Sequence, residues 1–400
     1  MKASKTNLTL VLDQESIYSL EEQPYAILLA GTKIVGLLTQ EQAERIGPLA
    51  SQVIDAAGCI VVPGLVDVHV HLIGGGGEAG PASRTPECQL SDLLDAGITT
   101  VVGVLGTDCI SRRQEALVAK CRALRAEGIT AFHWAGSYRV PPATLFDSVQ
   151  RDMCFVESCV GVGEVAVSDH RSSAPTPQEL ARIASEARVG GMLSGKAGLV
   201  HVHMGAGPTM LQPLREALEL SDVPITQFWP THMDRNEALL RDGLRWIEEG
   251  GCIDFTAGHQ GRKCVATVFR EHWSALSSCS VSSDACGSLP VFNKYGKLLE
   301  YKVAHPKELL QCMQDLVLKE KLPLEAVLPL FTQNPAKRLK LHDKGQIAVG
   351  KDADLLLLDG ETLELRYVIA LGQLVRTPEW TRGGAFERGP HIRPHVLPTE

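Results

Sequence analysis

Four hundred residues, 44% hydrophobic and 22% charged, describe an ordinary globular chain that is longer than the usual compact domain. Lys and Arg number 39 against 47 Asp and Glu, a formal charge of −8, which argues against nucleic acid or an anionic membrane as the main partner. No segment approaches the roughly 18 apolar residues of a membrane span. The start, "MKASKTNLTLVLD", lacks the apolar core of a secretory signal. Eleven scattered Cys with no C-x-x-C pair read as reduced thiols of a cytoplasmic chain.

The chain opens with short alternating segments, "NLTLVLD", "YAILLAGTKIVGLL" and "QVIDAAGCIVVPG", which predict a small antiparallel sheet over residues 1–62. From 63 to 340, apolar β-branched runs alternate with helical stretches. Eight runs read as strands: "IVVPGLVDVHVH", "ITTVVGV", "ITAFHWAGS", "CVGVGEVAVSD", "GLVHVHMG", "PITQFWPTH", "CIDFTAG" and "CSVSSDA". Helices such as Pro177–Gly190 and Arg235–Gly250 separate them. Eight parallel strands in that length predict a (β/α)8 barrel, with its chemistry at the carboxyl ends of the strands. Residues 341–400 return to strand patterns, "GQIAVGKDADLLLLD" and "LELRYVIALGQLVR", and close in an extended tail. His391 and His395 in that tail carry no expected catalytic role. Both chain ends together predict one discontinuous β-sandwich domain beside the barrel.

Polar residues gather at the predicted strand ends. His69 and His71 form H-x-H at the end of the first barrel strand, and alternate strand residues share a face, so both imidazoles can reach one ion. Glu164 interrupts the apolar run "GVGEVAV", where a bare carboxylate is costly to bury without a partner. His203, His232 and Asp284 end later strands. His201 lies two residues before His203 on the same face, and spacing alone does not separate the two. The one nearer the carboxyl end is the better ligand, which leaves His201 as a hydrogen-bonded interior residue. Six N and O ligands exceed what one zinc takes, whereas two adjacent metals with a carboxylate between them would use all six.

H-x-H, a fourth-strand carboxylate, two later His and a final-strand Asp resemble the binuclear metal amidohydrolases. The segments "HVHLIGGGGEAGP", "GSYRVPP", "SDHRSSAP", "PTHMDRN" and "SSDACGSLP" are similar to those of the isoaspartyl dipeptidases in particular, and "GKDADLLLLD" extends the resemblance into the terminal sheet. There is one departure. The usual fourth-strand ligand of that family is a carbamylated lysine bridging the two metals, and this chain has Glu164 there. Both groups present two oxygens and one negative charge, but Glu is shorter, so the geometry of the bridge must differ.

The resemblance implies a cytoplasmic homo-oligomeric metallo-dipeptidase that cleaves β-aspartyl dipeptides through a hydroxide shared by two divalent ions, with zinc the expected metal. It assigns His69, His71, Glu164, His203, His232 and Asp284 to the metals, and proton transfer to Asp284. It assigns Tyr138 to the scissile carbonyl, Glu78 to the substrate's α-ammonium, and Arg171 and Arg235 to its carboxylates. Ser288 would help bind the substrate's polar end, Thr107 and Gly76 would line the pocket, and Asp169 and His170 would support the ligands from behind. A cyclic-amide hydrolase, resembling hydantoinases or dihydroorotases, shares the metals but does not need Glu78. A third reading is an inactive homologue that binds a partner, its metal site spoiled by the change to Glu164.

Overall fold

The structure is a computed structural model of the chain and describes residues 8–12, 17–18, 24–292 and 298–395. Its central element is a curled parallel sheet of the TIM-barrel-like kind. Six strands, β1 (Leu65–Val70), β2 (Ile98–Gly103), β3 (Thr130–Ala135), β4 (Cys159–Val167), β5 (Leu199–Met204) and β6 (Phe228–Thr231), pair in sequence order. Two more, β7 (Ile253–Thr256) and β8 (Cys279–Ser282), form a parallel pair. Beyond the end of β6, Met233 N–H donates to the Asp254 carbonyl of β7 at 3.2 Å. Beyond β8, a parallel bridge joins Val70 to Ala285, and His71 N–H donates to the Ala285 carbonyl at 2.8 Å. The sheet therefore curls until its last strand meets its first.

Helices cover the sheet because their apolar faces need burial. Leu117, Leu180, Leu214, Leu239, Val265 and Leu309 pack in one cluster with Val101, Val165, Val202, Phe255 and Val281 of the strands. Local sequence sets the helix ends. Thr176 and Glu179 form a reciprocal capping box at the start of Pro177–Ser194, and Gly195 ends that helix at φ 70°. Asn236 caps Glu237–Glu248 through the Leu239 N–H at 2.9 Å, which leaves Arg235 just outside the helix rather than in its first turn.

Four expectations change at the strand level. The long run "IVVPGLVDVHVH" is two strands parted at Gly64, where an added Cβ would collide with the Thr99 side chain. The amino-terminal strands do not form one sheet. Leu8–Leu12, Ala26–Ala30, Lys33–Leu38 and Gln52–Asp55 form a sheet from the amino end alone, and only Cys59–Pro63 joins the carboxyl-terminal sheet, against Leu355–Asp359. The two sheets meet through one cluster that includes Ile27, Leu29, Leu355 and Leu357, while Leu356 and Leu358 face the helix-covered core. Strand alternation thus explains the four consecutive leucines. The segment after Asp284, which no predicted strand covers, becomes a hairpin, Ser288–Phe292 against Leu298–Val303. The tail docks: Ile392–Pro394 pairs with Thr381–Gly383, and Glu387 accepts the Leu90 N–H at 2.9 Å.

Candidate metal centre and substrate loop

Glu164 reaches the centre of the sheet through a β-bulge. Val162 pairs with Val200 and Val165 with Val202, so Gly163 and Glu164 together oppose the single residue His201. Bulges re-aim side chains in this way next to functional sites. Gly163 is required there, since an added Cβ would lie 2.8 Å from both the Cβ and the carbonyl oxygen of His201.

The carboxylate is fully buried, and its two oxygens divide four imidazoles between them. Oε1 lies 3.3 Å from His69 Nε2 and 3.5 Å from His71 Nε2. Oε2 lies 3.0 Å from His203 Nδ1 and 3.6 Å from His232 Nε2. Asp284 Oδ1 stands 3.1 Å from His71 Nε2 and 3.4 Å from His69 Nε2. Three overlapping groups, His69–His71–Glu164, Glu164–His203–His232 and His69–His232–Asp284, bring their ligand atoms within 4.8 Å of one another. The six predicted ligands are therefore brought together.

The chemistry of this set fits divalent cations. His69 Nε2, His232 Nε2 and Glu164 Oε1 are buried in the cluster without a hydrogen-bond partner, a costly state for polar atoms unless a positive ion meets them. His232 and Asp284 also hold left-handed backbone, at φ 61° and 53°, an uncommon state for non-glycine residues that gathers at functional sites. Burial pushes the Glu164 carboxyl up, but the charge of His69, the hydrogen bond with His203 and the nearness of the His232 and His69 rings outweigh it and hold it well below the usual range. Burial also acts against the Asp284 charge, and His69 and His71 again prevail.

Outside the ligands, His69 Nδ1 is 2.9 Å from His201 Nε2, and His201 stacks on Trp134 at 5.0 Å between ring centroids. His201 is thus the interior residue and His203 the one in the cluster. Asp169 reaches His203 Nε2 at 3.0 Å, as expected of a supporting group. His170 does not take that part, since its side chain is 89% exposed. Tyr138 OH lies 2.8 Å from His203 Nδ1, and burial, reinforced by the Glu164 charge, raises its pKa well above the usual phenol value. Tyr138 is therefore held as a neutral hydrogen-bond donor.

The glycine-rich loop brings Glu78 to the same end of the sheet. Thr107 Oγ1 donates to Glu78 Oε1 at 3.2 Å and Ser288 Oγ to Oε2 at 3.2 Å. Gly76, at φ 72°, packs so closely on the loop's return that a Cβ would lie 2.5 Å from the Ser83 carbonyl. Arg171 is engaged differently from the expectation. Its Nε and Nη2 donate to the two Asp169 oxygens at 3.0 and 2.9 Å. Nη1 stands 3.5 Å from Glu78 Oε1, so Arg171 links Glu78 to the His203 side of the cluster. Arg235 donates from Nε to the Met204 carbonyl at 2.6 Å and has no ion-pair partner among the described residues.

Three supporting residues escaped the sequence reading. Asp67 Oδ1 accepts the His69 and Ser283 N–H groups at 3.2 Å each and so ties β1 to β8, and burial pushes its carboxyl up to about 6. Asp254, fully buried, accepts hydroxyls from Thr231 at 2.7 Å, Ser282 at 2.6 Å and Ser280. Arg112 donates to the carbonyls of Ile73, Gly75 and Thr85 and clamps the glycine loop.

Comparison with known proteins agrees with this geometry. The model of the amidohydrolase family matches residues 60–379. A beta-aspartyl dipeptidase from the thermophilic Fervidobacterium islandicum AW-1, solved in complex with β-Asp-Leu dipeptide, is 37% identical. The match covers 95% of this chain and 100% of that one, with a TM-score of 0.87. A second structure of a beta-aspartyl dipeptidase from that organism matches at 36% identity over the same shares, with a TM-score of 0.86. A deacetylase of Agrobacterium fabrum is 26% identical over 82% of this chain and 77% of its own length.

Proposed function

The chain belongs to the amidohydrolase family, and on that footing we propose that it is a metal-dependent dipeptidase acting on β-aspartyl (isoaspartyl) dipeptides. The observation that carries this reading is Arg171 spanning from Glu78 to His203, which puts a carboxylate suited to a free ammonium one guanidinium away from the ligand cluster. A cyclic-amide substrate carries no ammonium for Glu78 to meet.

In this reading His69, His71, Glu164, His203, His232 and Asp284 hold two divalent ions, zinc the expected metal, with one Glu164 oxygen turned to each pair of imidazoles. Ions bound there would lower the pKa of a water and polarise the scissile carbonyl. Asp284 takes the proton of the attacking water and passes it to the leaving amine. Tyr138 donates to the carbonyl oxygen as negative charge develops on it. Glu78, steadied by Thr107 and Ser288, pairs with the substrate's ammonium, and Gly76 gives it room. Arg235 meets the terminal carboxylate, for which a planar guanidinium is the fitting partner. Arg171 orients Glu78 and adds positive charge on the same side. The fold underlying this is read as a closed (β/α)8 barrel over residues 63–340. A small β-sandwich from residues 1–62 and 341–400 stands beside it, in a cytoplasmic homo-oligomer. No helix among the described residues is long and apolar enough to cross a membrane.

Rates on β-Asp-Leu, α-linked Asp-Leu, hydantoin and dihydroorotate test the reading. The α isomer sets its amine and carboxylates at other distances from the amide. Groups left unsatisfied in a closed site cost about 1–3 kcal/mol, so the β isomer should be preferred about tenfold or more. Equal rates on the two isomers, or a preference for the cyclic amides, would contradict it. An inactive homologue would show no hydrolysis and no bound metal.

A further inference from the structure

A second cavity, of about 460 Å³, opens at the opposite end of the strands. Its walls come from residues at strand starts: Leu199 opens β5, Gln227 directly precedes β6, Cys252 directly precedes β7 and Cys279 opens β8. The candidate metal ligands lie toward the other ends of these strands or just beyond, and none of them lines this cavity.

The lining has an unusual charge. Four side chains, Arg188, Lys337, Arg338 and Lys340, are cationic and none is a carboxylate, in a chain whose net charge is −8. Among the described residues none of the four forms an ion pair. Arg338 is anchored by Nη2, which donates to the carbonyls of Phe228, at 3.0 Å, and Thr226. It lies 5.9 Å from the Trp229 ring centroid. Its Nε–H is buried without a hydrogen-bond partner, and the Trp229 Nε1–H is in the same state. Four cations gathered at one cavity without an ion pair favour an anion there, since like charges repel until a counter-charge meets them. The volume lies in the range of small-ligand sites.

We propose that this cavity binds a small organic oxyanion, bearing phosphate or carboxylate, with Arg188, Lys337, Arg338 and Lys340 around it. The site is separate from the hydrolytic one and does not depend on the substrate proposed for it.

Calorimetric titration of the metal-loaded full chain tests this, with inorganic phosphate in one arm and succinate in the other, and anion taken up at the metal centre is told apart because the cavity variants leave it unchanged. Saturable binding of either anion is expected, and the arm that binds identifies the chemistry. Arg188→Glu combined with Lys337→Glu changes two exposed side chains outside the hydrolytic site. That variant should bind the anion at least about tenfold more weakly, the scale of a lost charge-assisted hydrogen bond, with dipeptide hydrolysis unaltered. Arg338→Gln should weaken binding similarly while the thermal transition shows whether the fold is kept. Absence of binding in both arms, or equal affinity in the double variant, would overturn the proposal.

Discussion

An ionised carboxylate at zero exposure, such as Glu164, costs several kcal/mol to bury unless charge or hydrogen bonds offset it. Four imidazoles surround its two oxygens and three of their nitrogens lack hydrogen-bond partners, which suits the proposed ligand better than an ion-pair partner. Asp284 has a different task in this account, and Asp284→Asn separates ligation from proton transfer. Asparagine keeps an oxygen in place but cannot take a proton. Metal content should stay near that of the unaltered protein while kcat falls about a hundredfold or more. Metal analysis with steady-state kinetics checks both, and an unchanged kcat would mean that another group moves the proton. The candidate ligands were legible because imidazoles and carboxylates at the ends of apolar strands, or inside one as Glu164 is, are costly to bury unless an ion or a partner meets them. Asp67 and Asp254 carried the same signal as Glu164, a carboxylate inside an apolar run, and were missed because their partners are backbone amides and hydroxyls, which form no ligand pattern in the sequence. Arg112 left no signal, since its partners are backbone carbonyls that no side-chain pattern announces.

At the scale of the element, the bulge in β4 decides whether a glutamate can serve where a longer side chain is usual. It depends on Gly163, the residue whose Cβ position lies against His201. Gly163→Ala should therefore push β4 and β5 apart at this point. Overpacking of this kind costs about 1–3 kcal/mol. Thermal unfolding should show a lower Tm, accompanied by weaker metal retention, and an unchanged Tm would show that the strands accommodate the methyl freely. Strand existence was legible throughout the central sheet, because β-branched runs at regular spacing leave little choice. Strand ends were not. "IVVPGLVDVHVH" reads as one strand by composition, and its division at Gly64 follows from packing on Thr99, a contact 35 residues distant along the chain. The hairpin after Asp284 was hidden in the same way, since "GSLP" has the composition of a loop.

Across the whole molecule, the two terminal sheets are tied together by charge as well as by their apolar cluster. Lys344, almost fully buried, reaches Asp354 at 2.6 Å and Asp352 at 2.8 Å, and Lys33 of the amino-terminal hairpin reaches Asp352 at 2.8 Å and Asp343 at 2.9 Å. Burial acts to raise the Asp352 pKa, but hydrogen bonds from Lys33 and Lys344 more than offset it and leave the carboxyl below its usual value. A depressed folded pKa contributes stability that is complete above the unfolded value of about 3.9 and is lost as pH falls through the folded one. Lys344→Met leaves Asp354 without its buried cation, a loss of about 3–5 kcal/mol for a broken buried pair, and should remove part of this acid-labile stability, with Lys33 still holding Asp352. Urea unfolding at neutral and acid pH measures both, and a variant as stable as the unaltered protein at pH 7 would refute the role. Composition and periodicity revealed the terminal β material but not its division into two sheets, which depends on long-range pairing. The central claim joins all three scales: a dipeptidase whose metal pair is bridged by a permanent carboxylate, Glu164. Its most direct test is recovery of β-Asp-Leu hydrolysis by metal-stripped protein given zinc in buffer freed of carbon dioxide. A carbamylated lysine needs carbon dioxide to form, and Glu164 does not. Activity should return in full without bicarbonate, whereas recovery that requires bicarbonate, or no hydrolysis at all, would contradict the account.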